Sequence, residues 1–285
     1  MPAAKTSRPK TVRIGNFSVG NDRPLFFIAG PCIFESAELL AEVGVALKRV
    51  FATAKAHWVL KCSFDKANRT SPKAYRGRGM AEALEAFAKM KKDLKVPFLT
   101  DVHLPDQAEK AAAVADVLQI PAFLCRQSDL LEAAGRTGKV VNVKKGQFLS
   151  PWEISNAADK VAATGNRNIL LTERGSSFGY GNLVVDMRGL EIMAKTGYPV
   201  VFDATHSCQH PGSLGDATGG QREFAPTLAR AAAAVGVAGV FLETHPRPEE
   251  ALSDGPNSVR LKDVAAMIRG VQAVDRAVKN GRNTR

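Results

Sequence analysis

Along nearly the whole chain, short apolar runs rich in β-branched and aromatic residues alternate with longer stretches whose apolar positions recur every three or four residues. The runs are LFFIAG (25–30), WVLKCS (58–63), PFLTDVH (97–103), DVLQIP (116–121), KVVNVK (139–144), NILLTE (168–173), PVVFDATH (199–206) and GVFLETH (239–245). Each has the length of a strand and is followed by a stretch of helical period. From Ser36 onward, Leu40, Val43, Leu47, Val50 and Phe51 share one helical face, with Ser36 placed to cap the first turn. After the fifth run, Ser150, Pro151, Trp152 and Glu153 have the form of a capping box with proline at the first helical position, predicting that the strand feeds a helix directly.

Strand–helix alternation calls for a parallel sheet, and these eight runs are the number that closes one into an α/β (β/α)8 TIM barrel. The doubly wound open sheet is the competing architecture; it commonly has fewer strands and has no reason to carry a polar group at every strand end. The barrel is preferred, and 285 residues suit a single domain of this kind. Ahead of it, Val12, Ile14, Phe17 and Val19 flank a Gly-Asn break, which predicts a hairpin capping the barrel bottom within an N-terminal extension of residues 1–23. The glycine-rich polar stretch from Ser207 to Gly220 is too long for an ordinary strand-to-helix loop and is the candidate lid.

Composition narrows the class. The apolar share of 45% and charged share of 24% are those of a globular protein. The opening MPAAKTSRPKTVR is basic and polar without the apolar centre of a signal peptide, and no apolar run is long enough to span a bilayer, so a soluble, cytoplasmic protein is expected. The formal charge of +11 admits two readings, a nucleic-acid or membrane surface and a small polyanionic substrate. Lysines in the termini and in KMKKDLK (89–95) are expected on solvated faces, and the 14 Phe, 3 Tyr and 2 Trp are too dispersed for a base-stacking platform. Neither a nucleic-acid nor a membrane partner is expected. Cys32, Cys62, Cys125 and Cys208 lack CxxC spacing, which points to a reducing compartment.

In a barrel, residues at the C-terminal strand ends converge on one mouth. Those ends supply Cys32, Lys61, Asp101, His103, Lys144, Arg174, Asp203, His206, Glu243 and His245. A purely structural core would not place so many ionisable groups there, since each buried charge needs a partner. Lys61, Lys66, Arg69, Arg126, Lys144 and Arg174 come from several strands or the loops after them, which suits a ligand carrying several phosphate or carboxylate charges. Cys32, His206 and Glu243 end the first, seventh and eighth strands, neighbours in a closed barrel, and Asp254 lies just beyond. Thiolate, imidazole and carboxylates together suit Zn, Fe or Mn better than Ca or Mg. A lone cysteine is usually packing and a lone histidine usually a satisfied core residue, so spacing by itself leaves both readings open.

Taken with these residues, the motifs AGPCIFES (29–36), KCSFDKANRTS (61–71), TDVH (100–103), PAFLCRQSD (121–129), NVKKGQF (142–148), ERGSSFGYGNLVVDMR (173–188), FDATHS (202–207), ETHPRP (243–248) and SDGPNS (253–258) run the length of the chain. In them the sequence resembles the 3-deoxy-D-manno-octulosonate 8-phosphate synthases, relatives of the first enzyme of aromatic biosynthesis. The resemblance implies a transferase that condenses phosphoenolpyruvate with D-arabinose 5-phosphate and water, in Kdo and lipopolysaccharide synthesis. That family has a metal-requiring and a metal-independent form, told apart chiefly by cysteine or asparagine at the position of Cys32. Cysteine here implies the metal-requiring form, with Cys32, His206, Glu243 and Asp254 as ligands of a divalent Zn, Fe or Mn ion, although the SDGP stretch is closer to the other subgroup.

By the same likeness Lys61, Lys66, Lys144 and Arg174 hold phosphoenolpyruvate. Asn68, Arg69 and Ser71 hold the aldose and its phosphate, and Ser63, Asp101 and Gln147 complete the substrate set. Arg126 is implied to reach the sugar phosphate of a neighbouring subunit, hence a homotetramer. Cys32, Lys66, His103, His206 and Asp254 are the implied catalytic group, with His103 or Asp254 as proton relay. The alternative is a heptulosonate synthase acting on erythrose 4-phosphate. Those enzymes carry a Lys-Pro-Arg-Thr type segment where this chain has Lys66, Ala67, Asn68, Arg69 and Thr70, which favours the five-carbon aldose.

Overall fold

The computed structural model describes residues 10–67, 75–210 and 219–282. A short antiparallel hairpin, β1 (Val12–Ile14) and β2 (Phe17–Val19), precedes the first barrel strand, β3 (Phe26–Gly30). The other barrel strands are β4 (Trp58–Lys61), β5 (Phe98–Asp101), β6 (Val117–Ile120), β7 (Val140–Lys144), β8 (Ile169–Glu173), β11 (Val200–Asp203) and β14 (Gly239–His245). Between β8 and β14 lie two small hairpins, β9 (Ser176–Phe178) with β10 (Asn182–Val184), and β12 (Gln209–His210) with β13 (Gly219–Gly220). A short β15 (Val259–Arg260) pairs in parallel with the upper end of β14. Neighbouring barrel strands pair in parallel, and the β11–β14 and β14–β3 pairings close the ring. The predicted runs and the observed strands therefore coincide, the last with identical bounds and the others with ends trimmed by a residue or more.

The helices α1 (Ala37–Ala54), α2 (Met80–Leu94), α3 (Pro105–Ala112), α4 (Ser128–Arg136), α5 (Ile154–Ala163), α6 (Met187–Ala194), α7 (Ala225–Val235) and α8 (Val264–Arg282) follow the eight barrel strands in turn. Ser36 caps α1 as expected, its hydroxyl accepting from Leu39 N at 3.1 Å. The start expected at Pro151 is corrected. Glu153 does bond Ser150 N and Oγ, each at 2.9 Å, but residues 151–153 form a turn and α5 begins at Ile154. The nine residues from Lys145 to Glu153 thus form a loop between β7 and α5, in place of a direct feed.

Every barrel strand is buried along its full length, because helices cover the outer face and side chains fill the inner one. Phe26, Ile28, Val59, Leu99, Val117, Val140, Leu170, Val201 and Phe241 form the inner apolar layer, and Val12, Ile14, Phe17 and Val19 of the hairpin pack against it. The hairpin is thus the barrel's floor, as its alternation predicted. Each such residue contributes roughly 1.5–3 kcal/mol by leaving water. Two residues further along the strands the same inward face turns polar: Lys61 follows Val59, Asp101 follows Leu99, Gln119 follows Val117, Asn142 follows Val140, Thr172 follows Leu170, Asp203 follows Val201 and Glu243 follows Phe241. Apolar below and polar above, the interior aims its chemistry at the C-terminal mouth.

The stretch proposed as a lid is anchored by the β12–β13 pair; its residues 211–218 lie outside the described residues. All four cysteines are unbridged, and among the described residues no helix is long and apolar enough to cross a membrane.

Candidate active site

The upper ends of β3 and β4 meet closely because Gly30 has no side chain. A Cβ there would fall 1.9 Å from the Lys61 carbonyl oxygen. The bare backbone lets Lys61 reach across, donating from Nζ to Cys32 O at 2.6 Å and to Glu243 Oε1 at 2.6 Å. Burial by itself would lower the lysine's pKa and raise the glutamate's, but the surrounding opposite charges together outweigh it, with Glu243 foremost for Lys61 and Lys61 foremost for Glu243. Lys61 therefore sits above, and Glu243 well below, its ordinary value.

Beside this pair stands the predicted ligand set. Cys32, Glu243 and Asp254 each offer an atom within 4.8 Å of the others. His206 turns Nε2 toward the same point, 3.6 Å from Glu243 Oε2 and 3.9 Å from Asp254 Oδ2. Asp254 adopts a left-handed backbone (φ 49°), a conformation aspartate tolerates better than most residues, and brings Oδ2 to 3.2 Å from Cys32 Sγ. Without a cation, burial and then the neighbouring Glu243 push the Cys32 thiol well up, so it is an S–H donor to Asp254. Glu243 Oε2 is buried with no hydrogen-bond partner among the described residues. A buried acceptor without a donor, facing an imidazole nitrogen, a sulfur and a second carboxylate, is what a divalent ion of the Zn, Fe or Mn type would satisfy. The donor set fits.

Asp203 supports this cluster from below. It is fully buried, and Oδ2 lies 2.8 Å from His206 Nδ1 and 2.6 Å from Lys144 Nζ. Oδ1 accepts from His206 N at 2.9 Å and from Thr205 Oγ1 at 3.1 Å. Burial disfavours its charge, yet His206 and Lys144 hold its pKa far below the ordinary carboxylate value. With Nδ1 facing a carboxylate, the Nε2 lone pair is directed at the ligand cluster.

The cations form the other half of the mouth. Lys144 Nζ lies 3.9 Å above the Phe241 ring as well as against Asp203. Arg174 is buried; its Nη2 donates to Gln209, while Nη1 has no partner among the described residues. Gln209 Nε2 in turn donates to Asp254 Oδ1 at 3.0 Å, so one amide ties Arg174 on the cationic side to Asp254 in the thiol–carboxylate cluster. Lys66 is half-buried, and against its desolvation the neighbouring carboxylates Glu243, Asp101 and Asp254 hold its ammonium above the ordinary value. Asp101 accepts from Ser63 Oγ at 2.8 Å and is held below its ordinary value, against burial, by Lys61 and Lys66. Burial pushes His103 down, so its ring is neutral, and neither ring nitrogen has a partner among the described residues. Gln147 Oε1 is likewise buried and unpartnered among them.

Of the residues expected at the site, the structure gathers Cys32, Lys61, Ser63, Lys66, Asp101, His103, Lys144, Gln147, Arg174, His206, Glu243 and Asp254 at the upper end of the barrel and its loops. Asn68, Arg69 and Ser71 lie outside the described residues. Arg126 stands apart, exposed in the segment after β6. Sequence reasoning missed Gln119, Asn142, Thr172 and Gln209. The first three were legible in principle, each sitting two residues past an apolar position on an alternating strand.

A parallel barrel whose mouth joins convergent cations to a thiol–imidazole–carboxylate cluster defines a (β/α)8-barrel enzyme for small polyanionic substrates. Comparison with known proteins narrows the class. Residues 4–280 match the DAHP synthetase I family, and the chain belongs to it. It is 55% identical to the 2-dehydro-3-deoxyphosphooctonate aldolase of Bradyrhizobium diazoefficiens over 281 residues, 98% of this chain and 100% of that one. Proteins of the same name from Nitrobacter winogradskyi and Geotalea uraniireducens are 57% and 54% identical, covering 96% and 95% of this chain and 96% and 99% of theirs.

Proposed function

We propose that the chain condenses phosphoenolpyruvate with D-arabinose 5-phosphate and water, giving 3-deoxy-D-manno-octulosonate 8-phosphate and inorganic phosphate, in Kdo synthesis. The observation that carries this reading is the shared mouth: Lys66, Lys144 and an Arg174 whose buried Nη1 has no partner among the described residues face the same space as Cys32, Glu243 and Asp254. Near full-length relatives named for a phosphorylated deoxyoctonate support the eight-carbon product.

Carbon 3 of phosphoenolpyruvate forms the new bond to the aldehyde carbon, water adds at carbon 2, and the bond from carbon 2 to the phosphate oxygen breaks. Lys61, Lys66, Lys144 and Arg174 hold the phosphate and carboxylate, placing carbon 3 against the aldehyde and opposing charge where it builds on the departing phosphate. Ser63, Asp101 and Gln147 complete the substrate set, and Asn68, Arg69 and Ser71 take the aldose and its phosphate. When held by Cys32, His206, Glu243 and Asp254, a divalent Zn, Fe or Mn ion supplies a Lewis acid for the aldehyde oxygen. His103 is the favoured acceptor for the proton of the attacking water, being neutral with ring nitrogens unpartnered among the described residues; Asp254, engaged by Gln209 and Cys32, is the second choice.

The working form is a cytoplasmic homotetramer in which Arg126 reaches a neighbouring sugar phosphate. Exposed Phe123, Phe148, Trp152, Phe178 and Tyr180 in the segments after β6, β7 and β8 support a contact surface beside Arg126. Phosphate release measured with phosphoenolpyruvate and either arabinose 5-phosphate or erythrose 4-phosphate tests the reading. Turnover with the five-carbon aldose is expected; preference for erythrose 4-phosphate overturns it.

A further inference from the structure

Beneath the pocket, strands β4 to β8 or the residues just after them each contribute a polar side chain to an unbroken hydrogen-bonded chain inside the barrel. Thr172 Oγ1 donates to Asn142 Oδ1 at 2.6 Å, Asn142 Nδ2 to Gln119 Oε1 at 2.9 Å, and Gln119 Nε2 to Asp101 Oδ1 at 3.0 Å. Ser63 Oγ closes the far end on Asp101 Oδ2 at 2.8 Å. Asp101, Gln119 and Asn142 are register partners across β5, β6 and β7. Ser63, Asn142 and Thr172 are completely buried, and Gln119 and Asp101 nearly so.

The direction of this chain is not free. An ionised carboxylate only accepts, so Gln119 must present its NH2 to Asp101 and its carbonyl to Asn142. Asn142 must then give its NH2 to Gln119, leaving its carbonyl for the Thr172 hydroxyl. Every donor points toward Asp101, and in a dry interior each bond polarises the next. Apolar side chains would fill this layer as they fill the one below, so a fully satisfied polar chain is tied to what it holds. Asp101 is the carboxylate whose charge acts on Lys61, Lys66 and Lys144. Fixed in place, it lets those cations converge on the pocket without scattering by mutual repulsion.

We infer that Thr172 and Asn142, acting through Gln119, are positioning residues that hold Asp101 as an oriented counter-charge to the pocket lysines. The inference rests on the proposed reaction only for its kinetic readout. Asn142→Asp keeps shape but reverses one donor, forcing the Gln119 carbonyl against Asp101. Thr172→Val deletes the terminal donor at constant volume, and Thr172→Ser keeps it.

The test measures phosphoenolpyruvate affinity by calorimetry, and kcat and KM with arabinose 5-phosphate, on metal-loaded enzyme. Asn142→Asp should weaken phosphoenolpyruvate binding about 10-fold and lower kcat about 100-fold. Thr172→Val should lower kcat about threefold with both KM values little changed, and Thr172→Ser should restore it. Parent-like affinity in folded Asn142→Asp, or Thr172→Ser no better than Thr172→Val, overturns the inference. If Asn142→Asp does not fold, the Thr172 pair decides. A parent without turnover on arabinose 5-phosphate sinks the proposed reaction, while the affinity ratios still judge the relay; a parent that binds no phosphoenolpyruvate sinks both.

Discussion

Asp203→Asn isolates the link between the buried acid and the candidate metal site. The native carboxylate faces His206 Nδ1 at 2.8 Å and Lys144 Nζ at 2.6 Å with the same oxygen, while the other holds the His206 amide. With that second oxygen retained as the acceptor, the new NH2 faces both the ring nitrogen and the ammonium. Nδ1 becomes an acceptor, and the ring proton moves to Nε2, the nitrogen aimed at Glu243 and Asp254. Loss of such an outer partner costs about 10–100-fold in metal affinity, or roughly 1.4–2.7 kcal/mol. Lys144 also loses its closest counter-charge, and breaking a buried pair from one side costs about 3–5 kcal/mol of stability. Competition with a chromophoric chelator reads the first quantity and urea unfolding of the metal-free protein the second. Metal affinity within about twofold of the parent would refute the orienting role of Asp203.

Other consequences are equally direct. Lys145 is fully buried, donates to Leu149 O at 3.1 Å and Ser176 Oγ at 3.0 Å, and lies 3.5 Å from Glu173. Lys145→Met should cost about 3–5 kcal/mol in urea unfolding, with much of that recovered by adding Glu173→Gln, because the lone buried charge is then gone. Asp101, Asp203 and Glu243 all have folded pKa values depressed below ordinary values of 3.8, 3.8 and 4.5. A depressed acid stabilises the fold above its unfolded value and loses that contribution as pH falls through its folded one. The metal-free protein should therefore weaken steeply below about pH 4, and Asp101→Asn should flatten the slope by up to about 1.4 kcal/mol per pH unit. Unchanged slopes in denaturant titrations across that range would count against the assignment.

The barrel was legible because a strand covered on both faces is an unbroken apolar run, and eight such runs separated by helical stretches admit few topologies. The site was legible because alternation carries each strand from apolar floor to polar rim, as in Val140, Asn142 and Lys144. What stayed hidden depends on neighbours. Lys145 and Glu173 sit next to Lys144 and Arg174 in sequence, yet pair with each other away from the pocket, which period 2 predicts only once strand ends are known. Gln119, Asn142 and Thr172 read as isolated polar residues until register joins them. The bonds of the Ser150–Glu153 box form, but they close a turn, since local capping chemistry does not dictate that a helix begins at once.

The measurement closest to the central claim is phosphate release from phosphoenolpyruvate and arabinose 5-phosphate by protein stripped with a chelator, then titrated with Zn, Fe or Mn. The arrangement of Cys32, His206, Glu243 and Asp254 beside the cationic pocket predicts loss of turnover on stripping and its return as the site fills. Undiminished turnover in the stripped protein would contradict it.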